Sequence, residues 1–350
     1  MPRRQPRFDR MGDANDGVTQ MEAPVFKKFL PVAASIALVA SLTACGSDSG
    51  SQASAAAGND EIVMGFAQVG AESGWRTANT KSIQESAKAA GVTLKFSDAQ
   101  QKQENQIKAI RSYIQQKVDV IAFSPVVETG WDTILLEAKR AKIPVILTDR
   151  AVDSEDKTLY KTFLGSDFVL EGKKAGEWLV KDSGSAGAVN VVELQGTTGA
   201  APAIDRKEGF AEAIKANPQI KVIASQTGDF TRSGGKQVME AFLKSNPDID
   251  VVYAHNDDMG LGAIEAIEAA GKVPGKDIKI ITIDAVKDGM QALADGKINY
   301  IVECSPLLGD QLMDLSKKVL AGETVPERVV TEESAFDQAQ AKAALPTRKY

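Results

Sequence analysis

From residue 61 onward the hydrophobic positions follow two alternating rhythms. Short apolar runs of strand length fall at 62–67, 92–97, 119–124, 143–148, 189–194, 220–226, 250–254, 278–283 and 298–303. Between most of them the apolar residues recur at helical spacing, as at 76–90, 101–116, 131–141, 203–216, 232–245, 258–270 and 306–320. Gly91, Gly271 and Gly296 sit where helix C-caps belong. Alternation of this kind predicts right-handed βαβ units and parallel sheets. Nine strands are many for one doubly wound sheet, so two sheets are expected. The break between them is placed at 162–166. Before it, Asp153-Ser154-Glu155-Asp156-Lys157 is a polar loop without a helix, and after Gly165 a new helix opens the second series.

The polar residues interrupt this pattern at a recurrent place, the carboxyl ends of the strands. After the first run comes Val69-Gly70-Ala71-Glu72-Ser73-Gly74-Trp75-Arg76, with a carboxylate, a hydroxyl, an indole and a guanidinium within five residues. Ile146-Leu147-Thr148 ends in Asp149-Arg150, and Val252-Tyr253-Ala254 ends in His255-Asn256-Asp257-Asp258. Ile280-Ile281-Thr282-Ile283 ends in Asp284, and Tyr300-Ile301-Val302 ends in Glu303. The strand ends of a parallel sheet share one edge, so these groups face a common crevice, where open α/β sheets hold ligands. An aromatic face beside charged forks suits a small polyhydroxylated molecule.

Composition narrows the class. The chain has 350 residues, a length for about two domains, with 43% hydrophobic and 25% charged residues. Net charge is −6; six of the 41 Lys and Arg and four of the 47 Asp and Glu fall in residues 1–44, which leaves −8 on the remainder. An acidic body without a basic block argues against a nucleic-acid partner. Residues 1–44 read as a targeting segment, with Lys27-Lys28 before an apolar stretch at 29–42 that is too short to span a bilayer comfortably. Met11 and Met21 offer alternative starts. Leu42-Thr43-Ala44-Cys45 resembles the bacterial lipobox, which predicts lipidation at Cys45 and attachment to the membrane through lipid alone. Residues 45–60, rich in Ser, Ala and Gly, then form a flexible tether. With Cys45 lipidated, Cys304 has no disulfide partner and is expected as a buried free thiol.

Several long segments, taken in order, resemble the ribose/galactose-type periplasmic sugar-binding proteins of ABC transporters, and among them the galactofuranose-binding type. They are the 69–76 loop, Gln101-Lys102-Gln103-Glu104-Asn105-Gln106-Ile107-Lys108, Val189-Asn190-Val191-Val192-Glu193-Leu194-Gln195-Gly196, Ala203-Ile204-Asp205-Arg206, Gly228-Asp229-Phe230-Thr231-Arg232-Ser233 and Tyr253-Ala254-His255-Asn256-Asp257-Asp258-Met259. The resemblance implies the type I periplasmic binding protein fold: two doubly wound parallel-sheet α/β lobes joined by a three-strand hinge, near 163–166, 303–305 and 333. It divides the chain into an N-terminal lobe of 61–163 and 305–332 and a C-terminal lobe of 164–304 and 333–350. It implies ligand contacts from Glu72, Ser73, the Gly74 backbone, Trp75 and Arg76 in the first loop, and from Asp149, Arg150, Arg206, Phe230, Asn256, Asp284 and Glu303. Trp75 and Phe230 then flank a sugar ring, while ionised Asp149, Asp284 and Glu303 accept its hydroxyls and Arg76, Arg150 and Arg206 donate to it. Ribose-type members carry an aromatic where this chain has Arg76 and a glutamine where it has Glu303. That difference predicts that these two residues hold the exocyclic diol of galactofuranose or a closely similar hexose, and that ribose binds weakly.

The partners so implied are a monosaccharide and an ABC permease with its separate ATPase, for a monomer on the extracytoplasmic side. Delivery of the sugar to a chemoreceptor, or a sugar-active enzyme, are alternatives; a DNA-binding regulator of the same fold is disfavoured, because the export signal occupies the place of its helix-turn-helix. No enzyme, cofactor or metal is expected. A lone histidine, His255, makes neither a zinc site nor a triad and is read as structural, and neither a phosphate-binding G-x-x-x-x-G-K-[ST] loop nor an EF-hand loop is present. Trp131, also beyond a strand end, is open between a site role and a packing one.

Overall fold

The computed structural model describes residues 61–184 and 187–350. The targeting segment, Cys45 and the tether lie outside the described residues. In chain order the elements are β1 (Val63–Gln68), α1 (Gly74–Ala89), β2 (Thr93–Asp98), α2 (Gln103–Gln115), β3 (Val120–Phe123), α3 (Asp132–Arg140), β4 (Val145–Thr148), β5 (Thr162–Gly165), α4 (Phe168–Ser183), β6 (Val189–Gln195), α5 (Ala201–Ile214), β7 (Ile220–Thr227), α6 (Arg232–Ser245), β8 (Val251–Ala254), α7 (Asp257–Ala269), β9 (Lys279–Asp284), α8 (Lys287–Ala294), β10 (Tyr300–Glu303), α9 (Gly309–Leu320), β11 (Arg328–Val330), β12 (Ala335–Phe336) and α10 (Gln338–Ala344).

The strands form two sheets, in the orders β11-β5-β4-β3-β1-β2 and β12-β10-β9-β8-β6-β7. The first is parallel throughout, and the second is parallel except for the β10–β12 pair. Both faces of each sheet are covered, which is why the central strands read as continuous apolar runs. In the first lobe Met64, Phe66 and Ile83 pack with Leu312 on one face, and Phe123, Trp131 and Ile134 on the other. In the second lobe Val191, Phe210 and Tyr253 cover one face, and Val192, Met239 and Ile267 the other. The three expected C-cap glycines have φ values of 70°, 75° and 76°, which only glycine adopts without strain. Among the described residues no helix is long and apolar enough to cross a membrane.

The chain crosses between the lobes three times, from β5 to α4, from β10 to α9 and from β11 to β12. One carboxylate ties the crossings together. Glu333 Oε1 accepts from the Ser166 hydroxyl on the first, from the Ser305 N–H at 3.0 Å on the second and from the Thr331 hydroxyl at 2.9 Å on its own. The short β5 occupies the expected break, and β5, β11, β12, α8 and α10 all exceed what the apolar rhythm had marked.

Candidate ligand-binding site

A narrow cleft opens between the carboxyl ends of the two sheets, lined by Glu72, Ser73, Trp75, Arg76, Asp149, Arg150, Pro202, Arg206, Phe230, Asn256, Asp284 and Cys304. Ten of the twelve ligand contacts expected from the sequence therefore converge here.

Each is held by local structure. Ser73 caps α1, its hydroxyl accepting from Arg76 N–H at 3.1 Å, so the first loop turns into a helix that carries Trp75 and Arg76 inward. Asn256 caps α7 through Met259 N–H, and its amide donates to Phe230 O at 3.0 Å. Asp149, Phe230 and Asp284 have φ of 63°, 61° and 125°, conformations that non-glycine residues rarely adopt and that cluster at functional sites. The Phe230 ring lies on Gly196: a Cβ there would stand 1.9 Å from the ring.

The first lobe contributes an ion network that leaves Glu72 Oε2 and Arg150 Nε without a hydrogen-bond partner among the described residues. Arg76 bonds Glu72 Oε1 at 3.0 Å through Nε, Asp149 Oδ2 at 2.7 Å through Nη2 and Gln68 Oε1 at 3.2 Å through Nη1. Asp149 Oδ2 also accepts from the Ser124 hydroxyl at 2.7 Å. Arg150 stands 3.7 Å from Glu72 Oε1 and 3.6 Å from Asp149 Oδ2, donates to Val126 O at 3.1 Å and reaches across the cleft to within 5.3 Å of the Phe230 ring centre. Burial favours the neutral acid at Asp149, but the Arg76 and Arg150 charges and the Ser124 bond outweigh it and hold its pKa below the ordinary value. Arg150 is pushed down to about 10 by burial and by the Arg76 charge, against the pull of Asp149 and Glu72.

The second lobe is built differently. Arg206 is fixed by Glu171 Oε2 at 2.6 Å and His255 O at 2.6 Å and lies 3.8 Å from Asp284 Oδ1. Burial pushes the Asp284 carboxyl well above its usual range, with Arg206 opposing and Asp257 adding to the rise. Among the described residues no donor hydrogen-bonds that carboxylate. Burial also raises Glu171 to about 8, despite Arg206, with Glu333 contributing.

Two expected contacts lie elsewhere. Gly74 does not line the cleft: its N–H donates across the lobes to Asp258 Oδ2 at 2.7 Å. Glu303 does not line the cleft; its Oε1 accepts from Arg348 Nη1 at 2.7 Å and Tyr350 OH at 2.8 Å, and its Oε2 from Ser334 N–H at 3.0 Å. Its successor Cys304, a free buried thiol, takes the cleft position, and Cys304 O receives the Trp75 indole N–H at 2.7 Å. Trp131 packs on Phe123 with ring centres 4.9 Å apart and donates to Val127 O, so it staples the core. His255 is buried against Glu193, off the cleft.

Gln68, Ser124, Glu171 and Asp258 were not singled out as site residues. The first two stand at carboxyl ends of apolar strands, the signal that found the others. Glu171 lies 35 residues from its partner Arg206 and carried no local signal. The Glu171, Cys304 and Glu333 ligand atoms lie within 4.8 Å of one another. Three donors occupy Glu333 Oε1, which knots the crossings together beside this group.

Two doubly wound lobes, three crossings and a desolvated cleft between sheet ends define a type I periplasmic binding protein. The chain belongs to the periplasmic binding protein domain family, whose model matches residues 64–324. It is 51% identical to the galactofuranose-binding protein of Escherichia coli over 292 residues, covering 82% of this chain and 92% of that one. A solved Mycobacterium smegmatis protein in complex with β-D-fucofuranose is 72% identical, with TM-score 0.82 over 83% of this chain and 95% of that one. The periplasmic binding component of the arabinose ABC transporter of Shewanella sp. ANA-3, bound to α- and β-L-arabinofuranose, is 48% identical, with TM-score 0.80 over 82% and 96%.

Proposed function

We propose that this protein is an extracytoplasmic solute-binding lipoprotein, held to the membrane through Cys45, that captures a monosaccharide in its furanose form and delivers it to an ABC importer. The observation that carries this reading is the cleft itself. Trp75 and Phe230 come from opposite lobes, and buried guanidiniums and carboxylates stand between them. Acids held by arginines suit binding without turnover, so the protein acts as a receptor and not an enzyme.

The sugars bound by the similar proteins sharpen the ligand class. D-Galactofuranose, D-fucofuranose and L-arabinofuranose share one furanose ring configuration and differ in the exocyclic arm. The reading is therefore a galacto-configured furanose, recognised through its ring hydroxyls.

Mass spectrometry of the sugar carried through purification tests it directly. Titration calorimetry with D-galactose, D-fucose and L-arabinose should show each binding more tightly than D-ribose. No binding by any of the three, ribose binding equal to theirs, or turnover of a bound sugar overturns the reading. Cell fractionation tests the anchor: Cys45→Ser should leave the membrane fraction.

A further inference from the structure

Asp284 reaches the cleft only because the chain leaves β9 in a left-handed turn, with φ of 125° at Asp284 and 65° at Ala285. Side chains rarely adopt such angles, and they persist where the surroundings over-determine them. Three contacts do so here. Cys304 N–H donates to Asp284 O at 3.2 Å, Asp257 Oδ2 accepts from Val286 N–H at 2.8 Å, and Arg348 Nε donates to Ala285 O at 2.7 Å.

The third contact differs from the others. Arg348 comes from the end of the chain, beyond α10, and its guanidinium bridges two places. While Nε holds Ala285 O, Nη1 holds Glu303 Oε1 at 2.7 Å, and Nη2 donates to the Tyr350 hydroxyl. Glu303 closes β10 at the second lobe crossing, and its other oxygen takes Ser334 N–H at 3.0 Å on the third crossing. The guanidinium is also stacked near Phe336 and Tyr350, with ring centres 5.4 Å and 4.1 Å away. One planar fork thus joins the turn that presents Asp284 to the second crossing, and through Glu303 to the third. A lysine, with a single point of charge, cannot hold a carbonyl and a carboxylate in that geometry.

We infer that Arg348 is a positioning residue for the ligand contact at Asp284, tying the left-handed Asp284–Ala285 turn to the hinge. The inference rests on the reading of Asp284 as a ligand contact proposed above. Arg348 does not line the cleft. It acts by keeping the Asp284 carboxylate aimed at a ligand hydroxyl when the lobes close, and Glu303 serves the site as the anchor of that arginine.

A double-mutant cycle on the whole protein tests this, with D-galactose as probe in titration calorimetry. Arg348→Lys should weaken binding about tenfold, the loss of one well-aimed charged hydrogen bond, and Arg348→Gln at least as much. In an Asp284→Asn background the Arg348→Lys penalty should shrink to under about twofold, because the group that Arg348 positions has been blunted. Equal penalties in both backgrounds, or no penalty in either, overturn the inference. Hydrogen exchange supplies a readout that does not need a sugar. In Arg348→Lys the amides of 285–287 should exchange faster while those of 69–77, on the other lobe, stay at the wild-type rate. Failure of the wild type to bind D-galactose, D-fucose and L-arabinose would defeat the sugar reading alone. The role of Arg348 is then decided by exchange, and unchanged rates at 285–287 reject it.

Discussion

The two walls of the cleft carry the same residue types and solve opposite problems. On the first lobe Arg76 bonds both Glu72 and Asp149 and Arg150 stands within 3.7 Å of both acids, with Gln68 and Ser124 behind them. On the second lobe Arg206 and Asn256 are pinned by backbone carbonyls and a helix cap, while the Asp284 carboxylate has only a distant arginine. The first wall is thus largely self-paired, with Glu72 Oε2 and Arg150 Nε left without a partner among the described residues, and the second presents an acid that no donor there hydrogen-bonds. A buried charge network supports the fold when intact and harms it when broken, whereas an under-partnered acceptor favours the complex over the empty site. In the sequence the two walls look equivalent; in the structure the first is mostly held by its own ion pairs, a scaffold wall, and the second, whose acid has no bonded donor, is the reading wall under the proposed function.

Breaking the first wall should have the largest effect, and it should fall on stability. Arg76→Met leaves Asp149 and Glu72 buried with Arg150 alone, and removing one partner of such a network costs about 3–5 kcal/mol. Chemical denaturation of wild type and variant measures it. A loss below about 1 kcal/mol would show that the network adjusts, and would erase the contrast between the walls.

Asp284→Asn should do the reverse. It keeps one acceptor oxygen but turns the other into an NH2 donor, which costs a well-aimed hydrogen bond to a sugar hydroxyl of about 1.5–3 kcal/mol, or roughly 10- to 150-fold in affinity. Folding stability should hold or rise, because burial disfavours the carboxylate that the amide replaces. Calorimetry with D-galactose and a denaturation curve give both numbers, and a variant that binds normally but unfolds easily would reverse the assignment.

The hinge adds a pH dependence on the second wall's side. Burial raises Glu171 to about 8 from 4.5, so the folded chain keeps its proton where the unfolded chain loses it. The corresponding stability is full below pH 4.5 and is lost as pH rises through about 8. Thermal melts of the wild type should fall in temperature across that window, and Glu171→Gln should flatten the fall. Parallel curves for the two proteins would show that Glu171 is ionised throughout, paired with Arg206.

Most of the fold was legible because buried parallel strands are continuous apolar runs and their helices are amphipathic. The segments that were missed are weak in those terms. β11 and β12 have three and two residues, none of them fully buried, and α10 has seven. The site was legible through one rule, polar groups at strand ends, and Glu303 marks where that rule stops. Glu303 is the register partner of Asp284 on β10, and both end their strands. Asp284 turns into the cleft through a left-handed φ, whereas Glu303 remains in the strand and meets Arg348, 45 residues later. Side chains alternate along a strand, so the next residue, Cys304, shares its face with Val302 and reaches the cleft. Neither a left-handed turn at an aspartate nor so distant a partner is written in local sequence.

The smallest expected effect concerns closure, and it separates reading from latching. Gly74 N–H at the start of α1 donates to Asp258 Oδ2 at the start of α7, a bond between lobes that forms only when they meet. Its carboxylate also stands 3.4 Å from Arg232 Nε on its own lobe, so the acid stays anchored when the lobes part. A net hydrogen bond of about 0.5–1.5 kcal/mol favours the closed state by that amount. Asp258→Ala should then weaken binding by roughly 2- to 12-fold. Because the bond touches no ligand atom, it shifts only the population of closed protein, and the loss must be the same factor for every sugar. Asp284→Asn, which alters a contact to one hydroxyl, should instead change the ratio between sugars that differ in how they present it. Titration of both variants against D-galactose and L-arabinose makes the comparison. If Asp258→Ala alters the ratio of the two affinities, Asp258 belongs to the reading wall after all.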